Sequence, residues 1–198
     1  MWGDEPQLKV VRERMKLLLD IHHEELAPVR RLVASGELIM RQGDPAESLM
    51  LLTSGKVAIQ VRLIEPEPHT LAVIEAEELL GEMGLFGSGQ HSADVRVVEG
   101  PAELVEVSVD NFLKTLLFDV DLAMEMLALV SQRCMRSNEV IALLLSGIAA
   151  GERGDTTQLS QLEKAIQPLN YCLSTAMERL VTIGKARSPH PSSPALKP

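Results

Sequence analysis

Residues 80–97 read LGEMGLFGSGQHSADVRV. A Gly81-Glu82 pair opens a short apolar turn carrying Met83, Leu85 and Phe86. A Gly/Ser loop follows, and Ser92-Ala93 leads into an alternating strand. A helical turn that starts just after a glycine directs backbone N–H groups at one point, which suits a small anion such as a phosphate. The Glu82 carboxylate beside it can accept hydrogen bonds from sugar hydroxyls. Alone, Gly81 also fits an ordinary tight turn and Glu82 a solvated surface carboxylate. Where the pair falls among the strands decides between these readings.

Working outward, the region from Gly36 to about Val109 alternates short strand patterns with turn signals. Ser54-Gly55 lies between Leu49–Leu52 and Val57–Val61, which predicts a hairpin. Glu99-Gly100-Pro101 separates Val95–Val98 from Leu104–Val109 and predicts a second. Gly43-Asp44-Pro45 marks a further turn. Many short antiparallel strands at this spacing suggest a sandwich, barrel or jelly roll. Ahead of them, Val10, Met15, Leu18, Leu19, Leu26, Val29 and Leu32 recur at helical spacing over residues 7–32, predicting one or two short helices. The fold class is therefore mixed α+β: an antiparallel β-roll flanked by N-terminal helices, then a long helix and short C-terminal helices.

That long helix is expected over about residues 120–150. From Cys134 its seam runs through Ser137, Ile141, Leu144 and Ile148 in steps of three, four, three and four. This is the narrow stripe of a two-stranded coiled coil, so a homodimer with the helix at its axis is expected. A helix packed on its own domain is the alternative. Ser137 is polar on that seam with Asn138 beside it; the pair sets register or reaches a ligand lodged against the helix.

The bulk properties bound the function. The 198 residues suffice for one core plus an appendage, and a net charge of −9 repels polyanions. Cys134 and Cys172 have no metal-ligand spacing and read as reduced core residues of a cytosolic protein. The acidic start lacks the apolar stretch of a signal peptide, and no apolar run reaches the length of a membrane span. A soluble cytoplasmic protein is expected. His22, His23, His69 and His190 show no ligand spacing, so no metal site is expected. A haem held by His91 and a methionine has no second supporting feature. No nucleophile elbow, paired catalytic carboxylates or histidine cluster is present, so the chain is not read as an enzyme.

The order of parts resembles the cyclic nucleotide-binding domain, and more narrowly the bacterial Crp–Fnr regulators. The resemblance rests on Gly36-Glu37-Leu38-Ile39, Gln42-Gly43-Asp44, residues 51–57 (LLTSGKV) and Gly81-Glu82-Met83-Gly84-Leu85-Phe86. Ser92-Ala93 and the Val107–Phe112 strand exit continue it, and it covers roughly residues 20–150. It implies a cyclic nucleotide such as cyclic AMP, or a related small effector, as ligand rather than a resident cofactor. Gly81 and Glu82 would hold the ribose with Met83 alongside, and Ser92 would bind the cyclic phosphate. Ser137 and Asn138 would touch the base from the helix.

One departure concerns His91. The resemblance implies an arginine there, paired with the phosphate. Histidine, with a pKa near 6.5, is mostly neutral at pH 7, and losing a charge-assisted bond costs about 1.5–3 kcal/mol. Weak binding, binding that tightens as His91 protonates, and a pocket closed to cyclic nucleotides all remain open.

A second departure is the C-terminal region. Related transcription factors continue into a winged helix-turn-helix. Here Gly151–Asp155 breaks the long helix, and 159–166 and 169–183 read as short helices joined at Gln167-Pro168. Arg179 is the one base on the second helix, and DNA binding needs several phosphate contacts. The expected organisation is a domain over 1–150 with its dimer helix at about 120–150, a small helical appendage over 151–185 and a disordered tail over 186–198. The expected function is a ligand-sensing module that signals through the dimer helix to a protein partner. The alternatives are a divergent DNA-binding Crp–Fnr regulator and a structural dimer module with a degenerate pocket.

Overall fold

Two long strands organise the chain. In the computed structural model, which describes residues 6–63, 67–166 and 178–182, β3 (Ser48–Val61) and β6 (Asp94–Ser108) pair antiparallel along most of their length. The register shifts between Leu52 and Val57, where Gly55 meets Pro101 and Ala102. Gly55 has φ +95°, and a Cβ there would stand 2.8 Å from the Ala102 Cα. Both the conformation and the close approach require glycine. The hairpins predicted at Ser54-Gly55 and Glu99-Gly100-Pro101 are therefore not formed. Each turn signal instead marks a bend inside one continuous strand, and because the two bends face each other the ladder resumes beyond them.

The bends divide the sheet into two wings that share β3 and β6. β1 (Val29–Val33) and β5 (Glu78–Leu80) flank one wing; β2 (Leu38–Met40) and β4 (His69–Glu75) flank the other. Successive side chains alternate faces, so β3 turns Met50 and Leu52 into the roll and Leu49 toward the helices. The interior is closed by Met40, Val57, Ile74, Leu80, Val97 and Leu104.

Helices cover the outer face of the first wing. α1 (Pro6–Ile21) and α2 (His23–Leu26) precede the strands, α3 (Glu82–Leu85) is the short turn after β5, and α4 (Val109–Leu116) leads into α5 (Val120–Arg153). Met15, Leu26, Leu79, Phe112, Leu122, Met126 and Leu129 pack there as a second core. Val29 and Leu32, expected on a helix, lie on β1. Ala27 turns left-handed ahead of Pro28, and the chain then runs extended to pair with β6. Arg12 donates to the Glu77 carbonyl at 2.8 Å, and Lys16 ion-pairs with the Glu77 carboxylate. The Lys16 hydrogen bond holds that carboxyl below its usual range.

The chain divides into two compact units, residues 1–135 and 136–198, with the division inside α5; the sequence places its boundary at 150. In the second unit, α6 (Thr156–Ile166) follows α5, and residues 178–182 are helical. Ala150, Leu159 and Val181 form its small core. α5 ends at the expected break, where Gly154 takes φ +68°. Asp155 then caps α6 by accepting from the Gln158 amide at 2.9 Å. Among the described residues no helix-turn-helix is evident, and no helix is long and apolar enough to cross a membrane. The Gln167-Pro168 turn, most of the helix expected over 169–183, Cys172 and the 186–198 tail lie outside the described residues.

Candidate functional site

Gly81 sits where β5 turns into α3. Its φ is +94°, and a Cβ would stand 2.9 Å from the Ser48 carbonyl and 3.3 Å from the Met40 Cε. Only glycine fits both the left-handed backbone and the space against β3. The turn closes on itself, since the Gly84 and Leu85 amides both donate to the Gly81 carbonyl. α3 is four residues long, so the seat expected at a helix N-terminus is a single tight turn. A Cβ on Gly84 would lie 2.5 Å from that of Ala46 and 2.9 Å from the Gln90 carbonyl. Glycine there lets the turn press against the loop after β2.

That loop is laced to the segment entering β6. The Ala46 amide donates to the Gly89 carbonyl, the His91 amide to the Asp44 carbonyl, and the Gly43 amide to the His91 carbonyl, each at 2.9 Å. The Gly89 amide donates to the Gly84 carbonyl at 3.1 Å, which ties the loop back to α3. Gly81, Glu82 and Met83 thus share one turn, and His91 and Ser92 follow on the strand entry joined to it. Ser92 is exposed and Met83 is at the surface. Ser137 and Asn138 are exposed residues of α5 in the second unit.

Glu82 is not a solvated carboxylate. It is buried, as are Glu78 and Arg133. Arg133, from α5, donates one guanidinium nitrogen to Glu82 and another to Glu78, and the Leu79 amide also donates to Glu78 at 3.1 Å. A planar fork that meets two carboxylates from two nitrogens is the geometry arginine favours over lysine.

Arg133 and Glu78 are absent from the sequence-based reading, although a signal for Arg133 exists. The buried face of α5 runs Leu122, Met126, Leu129 and then Arg133, steps of four, three and four that put a charged residue on an apolar stripe. The sequence reading instead follows the neighbouring stripe that starts at Cys134 and runs through Ser137 and Ile141. Val130 is half-buried, and Cys134 is exposed rather than the core residue expected.

A third buried carboxylate, Asp94, accepts from the Gln42 amide at 2.7 Å and from Arg62 at 2.8 Å. His91 is half-buried and lines a cleft of about 550 Å³ together with Met40, Asp44, Ser108 and Asn111. Desolvation lowers its pKa below 6.5, and the Asp44 carboxylate opposes that shift. Among the described residues no group of three or more His, Cys, Asp or Glu side chains is placed to hold a metal ion.

Comparison with known proteins bears on this geometry. Residues 30–117 match the cyclic nucleotide-binding domain family. A relative named cyclic AMP receptor protein, from Thermus thermophilus, is 33% identical over 140 residues, covering 71% of this chain and 64% of that protein. A cAMP-activated global transcriptional regulator of Escherichia coli is 29% identical over 111 residues, covering 56% and 52%. The match thus spans about half to two thirds of the length of these relatives. Among solved structures, the Thermus thermophilus catabolite activator protein superposes with a TM-score of 0.58 at 27% identity, covering 84% of this chain and 82% of that one.

Proposed function

The chain carries a cyclic nucleotide-binding domain with homologues in the Crp family, and from that premise we propose that it is a regulatory ligand sensor. Its effector is a cyclic nucleotide or a related small molecule. Gly81, Glu82, Met83, His91 and Ser92 form the roll side of the site, and Ser137 or Asn138 complete it from α5. The module acts as a cytoplasmic homodimer and passes its signal through α5 to a protein partner.

The observation that carries this reading is the ion pair between Glu82 and Arg133. The carboxylate best placed to accept a ligand hydroxyl is held by a side chain of the helix that would transmit the signal. A hydroxyl that hydrogen-bonds Glu82 competes with, or completes, the coordination by Arg133. Either way the ligand has different free energies in two positions of α5, which a two-state shift requires. Dimerisation is supported by Ile141, Leu145 and Ile148, large apolar residues left about half exposed on α5 at 54%, 61% and 47%. Their spacing of four and three is that of a coiled-coil seam.

The test is a calorimetric titration of the full chain with cyclic AMP and cyclic GMP at pH 6 and pH 8. Saturable binding to either supports the sensor. Absence of heat with both, at both pH values, counts against a cyclic nucleotide as effector. A second reading, a divergent DNA-binding regulator, is favoured by the relatives' description as transcriptional regulators. It predicts a gel shift that weakens steeply with salt.

A further inference from the structure

We propose that the cleft between α1 and the α4–α5 corner docks a basic amphipathic helix of a partner protein. The proposal supplies a surface for the protein partner of the sensor reading, and it is tested without any effector, so either can fail alone. The cleft has a volume of about 470 Å³ and lies wholly within the first unit. Leu17, Leu18 and Ile21 line it from α1, and Thr115, Phe118 and Asp119 from the corner. Leu18 is buried, but Leu17 is 58% exposed, Ile21 65% and Phe118 89%. A single exposed apolar residue is ordinary; three around one cleft mark an interaction surface. Val10, also exposed, lies two turns before Leu17 on the same face of α1, so the apolar stripe extends along about three turns of helix. That length suits a second helix laid alongside rather than a compact small molecule.

The dimer seam does not cover this cleft. On α5, Leu122, Met126 and Leu129 belong to the core that holds Met15 and Leu18 of α1. The exposed Val120, Met124 and Leu127 lie on the opposite side of α5, since each residue turns the helix by about 100°. A pairing of α5 helices through that stripe leaves the α1 side open. The charge around the cleft selects the occupant. Residues 13–25 and 114–121 carry six carboxylates against three Lys or Arg. Lys16 is drawn to Glu77, and Arg14 lies 3.4 Å from Asp119 and 3.5 Å from Asp121. Glu13 and Asp20, both exposed, flank Leu17 one turn to either side. An acidic rim around an apolar floor favours a helix with an apolar stripe and Lys or Arg beside it, because complementary charge steers and orients such a partner. The same rim repels an acidic helix and an anionic membrane. Asp119 also caps α5, accepting from the Leu122 amide at 2.9 Å, so the docked helix touches the start of the signalling helix.

The experiment follows the fluorescence anisotropy of a labelled helical peptide of about four turns against the full chain. Its leucines recur at i, i+3, i+4 and i+7, and its other positions are lysine and alanine. A peptide with glutamate for every lysine, and one with the leucines scrambled off the stripe, serve as controls. The expected result is saturable binding of the lysine peptide at about micromolar Kd, at least about tenfold tighter than either control. Phe118→Ala and Leu17→Ala should each weaken it about tenfold. Met124→Ala, on the opposite side of α5, should leave it unchanged. Asp20→Lys should weaken the lysine peptide and strengthen the glutamate one. No saturable binding, equal binding of the lysine and glutamate peptides, or a loss in Met124→Ala equal to that in Phe118→Ala each overturns the proposal. So does a fall in mass by light scattering on Phe118→Ala, which would show that a second copy covers the cleft. Should Phe118→Ala lower the thermal midpoint, Leu17→Ala and Asp20→Lys decide.

Discussion

The Arg133 guanidinium and the Glu82 carboxylate meet as an ion pair, each residue only 3% exposed, between α5 and the turn that follows β5. Such a pair is costly to assemble, because both charges leave water. It is far more costly to break from one side, because the remaining charge has no solvent to turn to. With Glu78 also on Arg133, one guanidinium contacts two carboxylates, and the position of α5 in the first unit is tied to the electrostatics of the ligand turn.

Replacing Arg133 by methionine should therefore destabilise the chain by about 3–5 kcal/mol, the cost of leaving buried carboxylates uncompensated. Urea denaturation measures it. Adding Glu82→Gln should recover part of the loss, since the orphaned charge is then removed. Strict additivity of the two substitutions would show that they do not share an interaction.

Gly84→Ala should cost about 1–3 kcal/mol, because its Cβ would stand 2.5 Å from that of Ala46 and 2.9 Å from the Gln90 carbonyl, a backbone atom. The neighbouring loop hydrogen bonds depend on that approach, so amide exchange at Ala46, Gly89 and His91 should accelerate along with the fall in thermal midpoint. Unchanged exchange at those three amides would mean the turn and the loop are not mechanically coupled.

The roll, the N-terminal helices and the long helix are legible in the sequence because their apolar periods differ, two for strands and about 3.6 for helices. The bends are not. Ser54-Gly55 and Gly100-Pro101 carry the chemistry of hairpin turns, and only long-range pairing between β3 and β6 reveals that each lies inside a continuous strand. The Gly81-Glu82 turn is readable because glycine and a carboxylate in that order have a local reason to be there. Arg133 is not, because its partners lie 51 and 55 residues away in the chain. A local pattern shows a charged residue on an apolar stripe without showing what neutralises it. Cys134 is misread for a related reason: burial depends on which face of α5 meets the roll, and two stripes one residue apart compete for that role.

His91 makes a signed contribution to pH dependence. Burial lowers its folded pKa below the 6.5 of the free side chain, so between those values the unfolded chain binds more protons than the folded one. Stability then rises with pH. The contribution is complete above pH 6.5 and is lost as pH falls through 6.5 toward the lowered folded value. Urea midpoints of wild type and His91→Gln, measured from pH 7.5 to 5, should diverge only on the acid side, with wild type falling faster. Parallel curves across that range would mean that His91 titrates alike in both states.

Cys134 offers the sharpest test of the dimer. It is exposed on α5, and it precedes Ile141 by seven residues and Ile148 by fourteen, so all three occupy the same position of a heptad. In a parallel pair of α5 helices, residues at one seam position face their own copies across the axis. Two Cys134 thiols would then lie within reach of a disulfide, whose Cα separation must fall at about 4.4–6.8 Å. Mild oxidation of a Cys172→Ser background should convert the chain to a covalent dimer on a non-reducing gel. Ile141→Glu should suppress the cross-link and halve the mass measured by light scattering, because a charge at that seam would face its own copy. A dimer that persists in Ile141→Glu, with Cys134 failing to cross-link, would place the subunit contact on another surface.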